Sequence, residues 1–123
     1  MSFSEICIYQ VKPDKVEEFE ALMQEAVPFM ERMDGVLLLR FARRTHIIRE
    51  MSSIKEGLPP DRLTRVVKSV RYMLYWEFES PEKYGLAQKQ LYETYWKALD
   101  KCLNMPHAKY LSDSPFYSGY CLE

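Results

Sequence analysis

A chain of 123 residues has room for one domain with a real core and not for two comfortable ones. With 47% apolar and 28% charged residues it has ordinary globular composition, which excludes a disordered or fibrous chain. A formal net charge of -1 supplies no global field for nucleic acid or anionic membrane, and no apolar run approaches membrane-spanning length.

From Phe3 to Val11 the residues mix β-branched and aromatic types, with Ile6 and Ile8 on one face and Cys7, Tyr9 and Val11 on the other. Apolar side chains on both faces predict a strand covered on both sides. Pro13 then opens a helix at a first-turn position, where its missing N–H has no helical partner to lose. Val16, Phe19, Leu22, Met23, Ala26, Val27 and Met30 recur at spacings of three and four and make one face apolar. Pro28 within that pattern predicts a kink or a break into two shorter pieces. Asp34-Gly35 supplies the stop.

Val36 to about His46 reads as a second strand, apolar at first and then basic, so its far end should lie outside the core. Residues 47 to 65 hold Gly57 and Pro59-Pro60, which argue against a long regular element and for a long hairpin excursion with room for one helical turn. Loops of this length in compact domains are uncommon and often functional, with a mobile surface insertion as the alternative. A third strand, Val66 to Glu79, alternates Val70, Tyr72, Leu74, Trp76 and Phe78 against Arg71, Met73, Tyr75 and Glu77. Ser80 is placed to cap a second helix that Pro81 opens, although Lys83 stands where a capping-box Glu would close the motif. Leu91, Tyr95, Ala98, Leu99 and Cys102 form its stripe, joined at the edges by Ala87, Tyr92 and Leu103, and Pro106 ends it. A connector through Asp113 and Pro115 leads to a last strand, FYSGYCL, with Gly119 as a bulge.

Strand, helix, strand, strand, helix, strand is the α+β order of a ferredoxin-like βαββαβ domain spanning residues 1–123, with a four-stranded antiparallel sheet. Right-handed crossovers put both helices on one face. The other face, carrying Ile6 and Ile8, then needs a cover that one chain does not supply, and a second copy is the simplest one. Two such sheets facing each other would form a shared barrel.

The segments IYQVKPDKVEEFEALM, GVLLLRF and YWEFESPEKYGLA carry a resemblance that runs end to end. The chain resembles the dimeric α/β-barrel superfamily, and in particular proteins similar to the antibiotic biosynthesis monooxygenases. The resemblance implies a homodimer with a pocket between sheet and helices in each subunit, and no metal or organic cofactor. Some members oxidise polycyclic phenols, some degrade haem, and many have no assigned chemistry. Oxygenase members rely on an Asn in the first strand and a Trp or His early in the second helix. Aligned by the proline joints, those positions fall here on Cys7 and Ala87. The ligand-type His of haem-degrading members falls near Trp96 and Lys97. Cys lacks the paired donor and acceptor of an amide, and Ala has no ring. The resemblance therefore implies the pocket more firmly than it implies the oxygenase chemistry.

Residue by residue, the candidates are few. Cys7, Cys102 and Cys121 are odd in number and far apart, which fits neither a disulfide framework nor zinc pairs and points to reduced thiols in a cytoplasm. MSFSEICIYQ has no basic region followed by an apolar stretch, so export is not expected. Cys7 reads as a small buried hydrophobe before it reads as a nucleophile. Neither His46 nor His107 belongs to a ligand pair; His46 reads as surface, whereas His107 follows Pro106 in a connector placed to cap a pocket. Aromatics reach 14%, enough for a Tyr-rich core or for a pocket or subunit contact. Tyr9, Tyr72 and Trp76 on strands, with Tyr95 and Trp96 on the second helix, are candidate walls for such a pocket, together with Cys7 and His107. Basic residues concentrate in the second hairpin, and Arg40, Arg43 and Arg71 are candidate anion ligands there, set against a solvated arm that discourages edge pairing. An RNA-binding sheet is the reading from another class, since VRYMLYWEF offers aromatics beside a base. It lacks the glycines of that signature, and a sheet closed in a dimer has no room to stack bases, so the expected partners are a second copy and a small molecule, not nucleic acid or membrane.

Overall fold

The computed structural model describes residues 2–65 and 68–114. Strand β1 (Ser2–Val11) leads through a 3-10 turn at Pro13–Lys15 into helix α1 (Val16–Glu31). After β2 (Val36–Arg43) come two-residue strand β3 (His46–Ile47), short helix α2 (Met51–Lys55) and two-residue strand β4 (Asp61–Arg62). Strand β5 (Val70–Phe78), helix α3 (Pro81–Cys102) and strand β6 (Ala108–Ser114) complete the order. The main sheet runs β2-β5-β1-β6, with every neighbour antiparallel, and β3 and β4 pair separately. This is the ferredoxin-like arrangement that the repeated strand-proline-helix joint predicts.

The alternation in β1 and β5 decides the layers. Cys7, Tyr9 and Val11 face the helices and are buried, as are Val70, Tyr72, Leu74, Trp76 and Phe78. Phe19, Met23, Ala26 and Met30 of α1 and Ala87, Leu91, Tyr95 and Leu99 of α3 close over them. The opposite sheet face has no second layer among the described residues. There Ile6 pairs with Tyr75 on one side and Tyr110 on the other, and Ile8 pairs with Met73. Ile6 is 46%, Met73 45% and Tyr110 62% exposed, so an apolar row crosses the open face.

Three expectations change. Helix α1 is not broken at Pro28, because the proline lies near its C-terminal end and the donor it removes would have bonded the carbonyl of Gln24, an exposed residue. The stretch read as a connector through Asp113 is strand β6, held by β1 from Ser2↔Ser114 to Ile8↔Ala108. FYSGYCL and Gly119 lie outside the described residues. The long excursion from 47 to 65 holds the expected helical turn, as α2, and is more regular than expected in the β3–β4 pair. The Ser80 cap is present, its Oγ accepting the Lys83 N–H at 3.2 Å.

Gly35 makes the α1–β2 turn with φ +87°, a conformation that side chains with a Cβ rarely adopt. A Cβ at Gly35 would stand 2.6 Å from that of Lys83, while the Gly35 carbonyl accepts the Glu79 N–H at 2.8 Å. Gly35→Ala should therefore lower unfolding stability by ~1–3 kcal/mol, seen as a lower urea midpoint with an unchanged slope. Gly35→Ala/Lys83→Ala, which removes Cγ and Cδ of the clashing stem but keeps its Cβ, should recover only part of that loss, because the Cβ–Cβ clash and the backbone strain stay.

Candidate functional site

The end of α3 is fastened to the end of β1. Lys12 N–H donates to the Cys102 carbonyl and Asn104 N–H to the Gln10 carbonyl, both at 2.8 Å, and Val11 bridges to Leu103. These bonds aim the following turn so that His107 lies against the sheet just before β6 begins. Its ring centroid is 5.5 Å from Tyr9 and 5.4 Å from Trp96, the latter edge-on at 75°. Trp96 in turn stacks with Tyr92 at 6.1 Å. A line of rings thus runs from the exposed shoulder of α3 down to β1.

This line forms one wall of a cleft of about 480 Å³ between α3 and the β1–β6 edge. Gln88, Leu91 and Leu99 add to the α3 side, and Lys109 to the β6 side. Gln88, Tyr92, Trp96 and Leu99 follow one another at four, four and three residues, so a single helix face presents them.

Behind Lys109 lies Glu5, with no exposed surface at all. Its Oε1 accepts from Lys109 Nζ at 2.7 Å and from the Tyr84 hydroxyl. Among the described residues its Oε2 has no partner, nor do Gln88 Nε2 and His107 Nδ1. A buried donor or acceptor left unpaired costs ~1–3 kcal/mol, and the two residues that carry these nitrogens, Gln88 and His107, both line the cleft. Burial lowers the His107 pKa below its ordinary 6.5, and the neighbouring Lys109 charge adds to the effect. The imidazole is consequently neutral at pH 7 and able to accept a proton. Burial also raises the Tyr9 hydroxyl well above its ordinary value, with Cys7 and Glu5 contributing, so it stays protonated.

Of the residues singled out from sequence, Tyr9, Trp96 and His107 meet in this cleft. Cys7 is fully buried in the sheet centre, and desolvation pushes its thiol to about 11, leaving it protonated and inert. Trp76 is also fully buried, packed 4.7 Å from Phe78. Tyr95 packs 5.4 Å from Phe29, with its hydroxyl 3.4 Å from Glu25 of α1. Tyr72 belongs to another cleft, of about 430 Å³ between α1 and β2, where it stacks on Phe41 and its hydroxyl donates to Glu20. Arg40 and Arg43 line that cleft too, and Arg43 also pairs with Glu20 at 3.0 Å. Arg71 meets Arg43 in a third depression, without Arg40. Ala87 is buried and, like Cys7, does not line the α3 cleft.

Sequence reasoning passed over Gln88, Lys109 and Glu5. Glu5 carried a usable signal, since it shares the inward parity of Cys7, Tyr9 and Val11, where a carboxylate requires a cationic or hydrogen-bonding partner. Lys109 carried none while its segment read as a connector. Among the described residues no helix is long and apolar enough to cross a membrane, and no group of three or more His, Cys, Asp or Glu is arranged to hold a metal ion.

No family model matches the chain, and the curated proteins give no sequence match. Solved structures do match. Rv0793 from Mycobacterium tuberculosis superposes with a TM-score of 0.69 at 13% identity, covering 97% of this chain and 99% of its own. A Nitrosomonas europaea protein named among the antibiotic biosynthesis monooxygenases gives a TM-score of 0.64 at 15% identity, with 96% and 94% covered. SnoaB, a cofactor-independent oxygenase from Streptomyces nogalater, gives 0.59 at 14% identity, with 95% and 98% covered. The chain therefore has the fold of the antibiotic biosynthesis monooxygenase-like proteins along nearly its whole length.

The setting of His107 gives a pH signature. Because its folded pKa lies below 6.5, the native state takes up this proton less readily than the unfolded chain does. Its contribution to stability is complete above about 6.5 and falls as pH drops towards the lowered folded value. The ring resonances of His107 should titrate with a midpoint below 6.5, and His107→Gln should flatten the fall in urea midpoint between neutral and mildly acidic pH.

Proposed function

We propose that this protein binds a small aromatic molecule bearing an ionisable hydroxyl or a carboxylate in the cleft between α3 and the β1–β6 edge. The observation that carries this reading is a pair of wall residues, Gln88 and His107, each holding a buried side-chain nitrogen without a partner among the described residues, beside the Lys109 ammonium and under the rings of Tyr92 and Trp96. Rings supply apolar area for an aromatic body, while a neutral imidazole and a fixed cation suit an acidic group at its end.

In its catalytic form the reading is monooxygenase-like. His107 takes the hydroxyl proton, and Lys109 holds the resulting anion, which is electron-rich enough to be oxidised directly. One oxygen atom of O2 becomes a carbonyl oxygen at a ring C–H position, and the other leaves as water with that hydrogen and the hydroxyl hydrogen, so a naphthol and O2 give a quinone and water without a further reductant. The second reading is a non-catalytic binding or accessory protein. Cys7 and Ala87 favour it, since both are shut in the core at the positions where the oxygenases resembled here carry functional groups.

The same proposal includes a homodimer. The row of Ile6, Met73 and Tyr110, with Tyr75 and Ile8 beside it, is an apolar sheet face, and a second copy laid across it would close a barrel. A stable contact of this kind buries roughly 800 Å² per partner. The free, buried thiols of Cys7 and Cys102 fit a reducing compartment, and we assign the protein to the cytoplasm.

Titration with naphthols and hydroxynaphthoic acids, followed by quenching of tryptophan fluorescence, tests the cleft. Binding should weaken at least tenfold in Lys109→Ala and in His107→Ala, and the quench should be largely lost in Trp96→Phe. Equal affinity in all three variants would dismiss this site. Oxygen uptake with the bound compounds separates the two readings: consumption matched by quinone product supports the first, and binding without uptake the second. Sedimentation should find a dimer at micromolar concentration that Ile6→Asp/Met73→Lys splits, and a folded wild-type monomer would refute the barrel.

A further inference from the structure

Charge is concentrated at the other side of the sheet, where β2 ends and β5 begins. Arg44 N–H donates to the Arg71 carbonyl at 2.9 Å, and Leu63 N–H to the Thr45 carbonyl at 2.8 Å. The His46↔Arg62 pairing continues that ladder and folds the excursion back over the strand ends. The enclosed depression, about 180 Å³, is lined by Arg43, Arg44, Arg62, Arg65 and Arg71. Thr45 and Ser69 add hydroxyl groups to the same lining, and no acidic or aromatic residue takes part among the described residues.

Compensation for these charges is sparse. Arg43 pairs with Glu20 at 3.0 Å, and the nearby Arg49 takes Asp61 at 3.6 Å. Among the described residues Arg44, Arg62, Arg65 and Arg71 have no carboxylate at ion-pair distance. Arg62, Arg65 and Arg71 are exposed and Arg44 is half-buried, so the group is reachable from solvent. Like charges held a few ångströms apart repel by ~1 kcal/mol per pair even in water, and the fold holds the backbones that carry these groups together by hydrogen bonds. A chain with a formal net charge of -1 has carboxylates to spare, yet among the described residues none lines this depression.

We infer that this arginine cleft is a binding site for the phosphoryl or multiply carboxylated head of a small polyanionic molecule, separate from the α3 cleft. Guanidinium forks donate paired hydrogen bonds to oxyanions, and several forks around one depression select a compact multivalent anion over chloride. The volume suits such a head rather than a polycyclic body. The absence of rings among the described lining residues speaks against single-stranded nucleic acid, which such sites hold by stacking bases.

Calorimetric titration of the intact protein with pyrophosphate and with citrate, against sodium chloride at matched ionic strength, tests this. One site per chain is expected for at least one of the two, and the tighter of them tells a phosphoryl from a carboxylate head. Arg62→Gln/Arg71→Gln should weaken that binding at least tenfold, Arg62→Lys/Arg71→Lys should fall between, and Lys97→Gln, which removes one charge on α3, should leave it unchanged. If the double Gln variant does not fold, the arginine side-chain N–H resonances of the wild type must shift with pyrophosphate or citrate and not with chloride. Heat and shifts reproduced by chloride, affinity unchanged in the double variant, or tighter saturation by a single-stranded oligonucleotide than by either small anion would overturn the inference.

Discussion

A carboxylate in the middle of an apolar sheet face is tolerable only when its charge is met, and Glu5 is met from two directions. Lys109 reaches it along the β1–β6 ladder, and Tyr84 reaches it from the first turns of α3. The contact therefore joins the edge strand, the first strand and the second long helix at one buried point. Breaking a buried pair by removing one partner commonly costs 3–5 kcal/mol, far more than an exposed pair is worth. The salt bridges between Lys15 and Glu18 or between Arg49 and Asp61, both exposed, give no comparable constraint. Because Lys109 is partly open to the cleft while Glu5 is sealed, the pair also fixes a cation at the cleft wall that solvent would otherwise leave free to swing.

Much of the architecture was legible in the sequence, for reasons that can be named. β5 buries every second residue from Val70 to Phe78, so its period of two is undiluted, and α3 begins where Ser80 and Pro81 require it to. β6 was not legible. It is an edge strand whose helix-side positions hold Lys109, Leu111 and Asp113, and Leu111 is exposed, so alternation of apolar and polar residues never develops. FYSGYCL shows the stronger strand pattern in sequence, and it drew the reading away from the residues that pair with β1. Pro28 misled in the opposite sense, since a proline near a helix end sacrifices a single bond on an exposed side.

The candidate site was legible only in part. Tyr9, Trp96 and His107 come together because α3 is tied to β1 at Cys102 and Asn104, a tertiary fact with no local signature. Tyr72 and Tyr95 are chemically indistinguishable from Tyr9 in a sequence, yet Glu20 and Glu25 of α1 take up their hydroxyls. The basic hairpin shows a related effect. Net charge concealed it, because composition averages over the surface while the field at a cleft depends on which side chains the fold collects there.

These observations bear on how one fold can carry different chemistry at low sequence identity. The inward positions of β1 are buried here, with Cys7, Tyr9 and Val11 at 0–1% exposure, and of the three only Tyr9 lines the α3 cleft. The polar side chains of the α3 cleft, Gln88, His107 and Lys109, stand on one face of α3, on the turn after it and on β6. That cleft borders the edge strand, the part of the sheet with one neighbour fewer and hence the most tolerance for polar residues. A scaffold held by alternate apolar positions in β1 and β5 keeps its shape while its edge is rewritten. What separates this chain from proteins of the same fold should thus be sought along α3 and β6 before it is sought in the core.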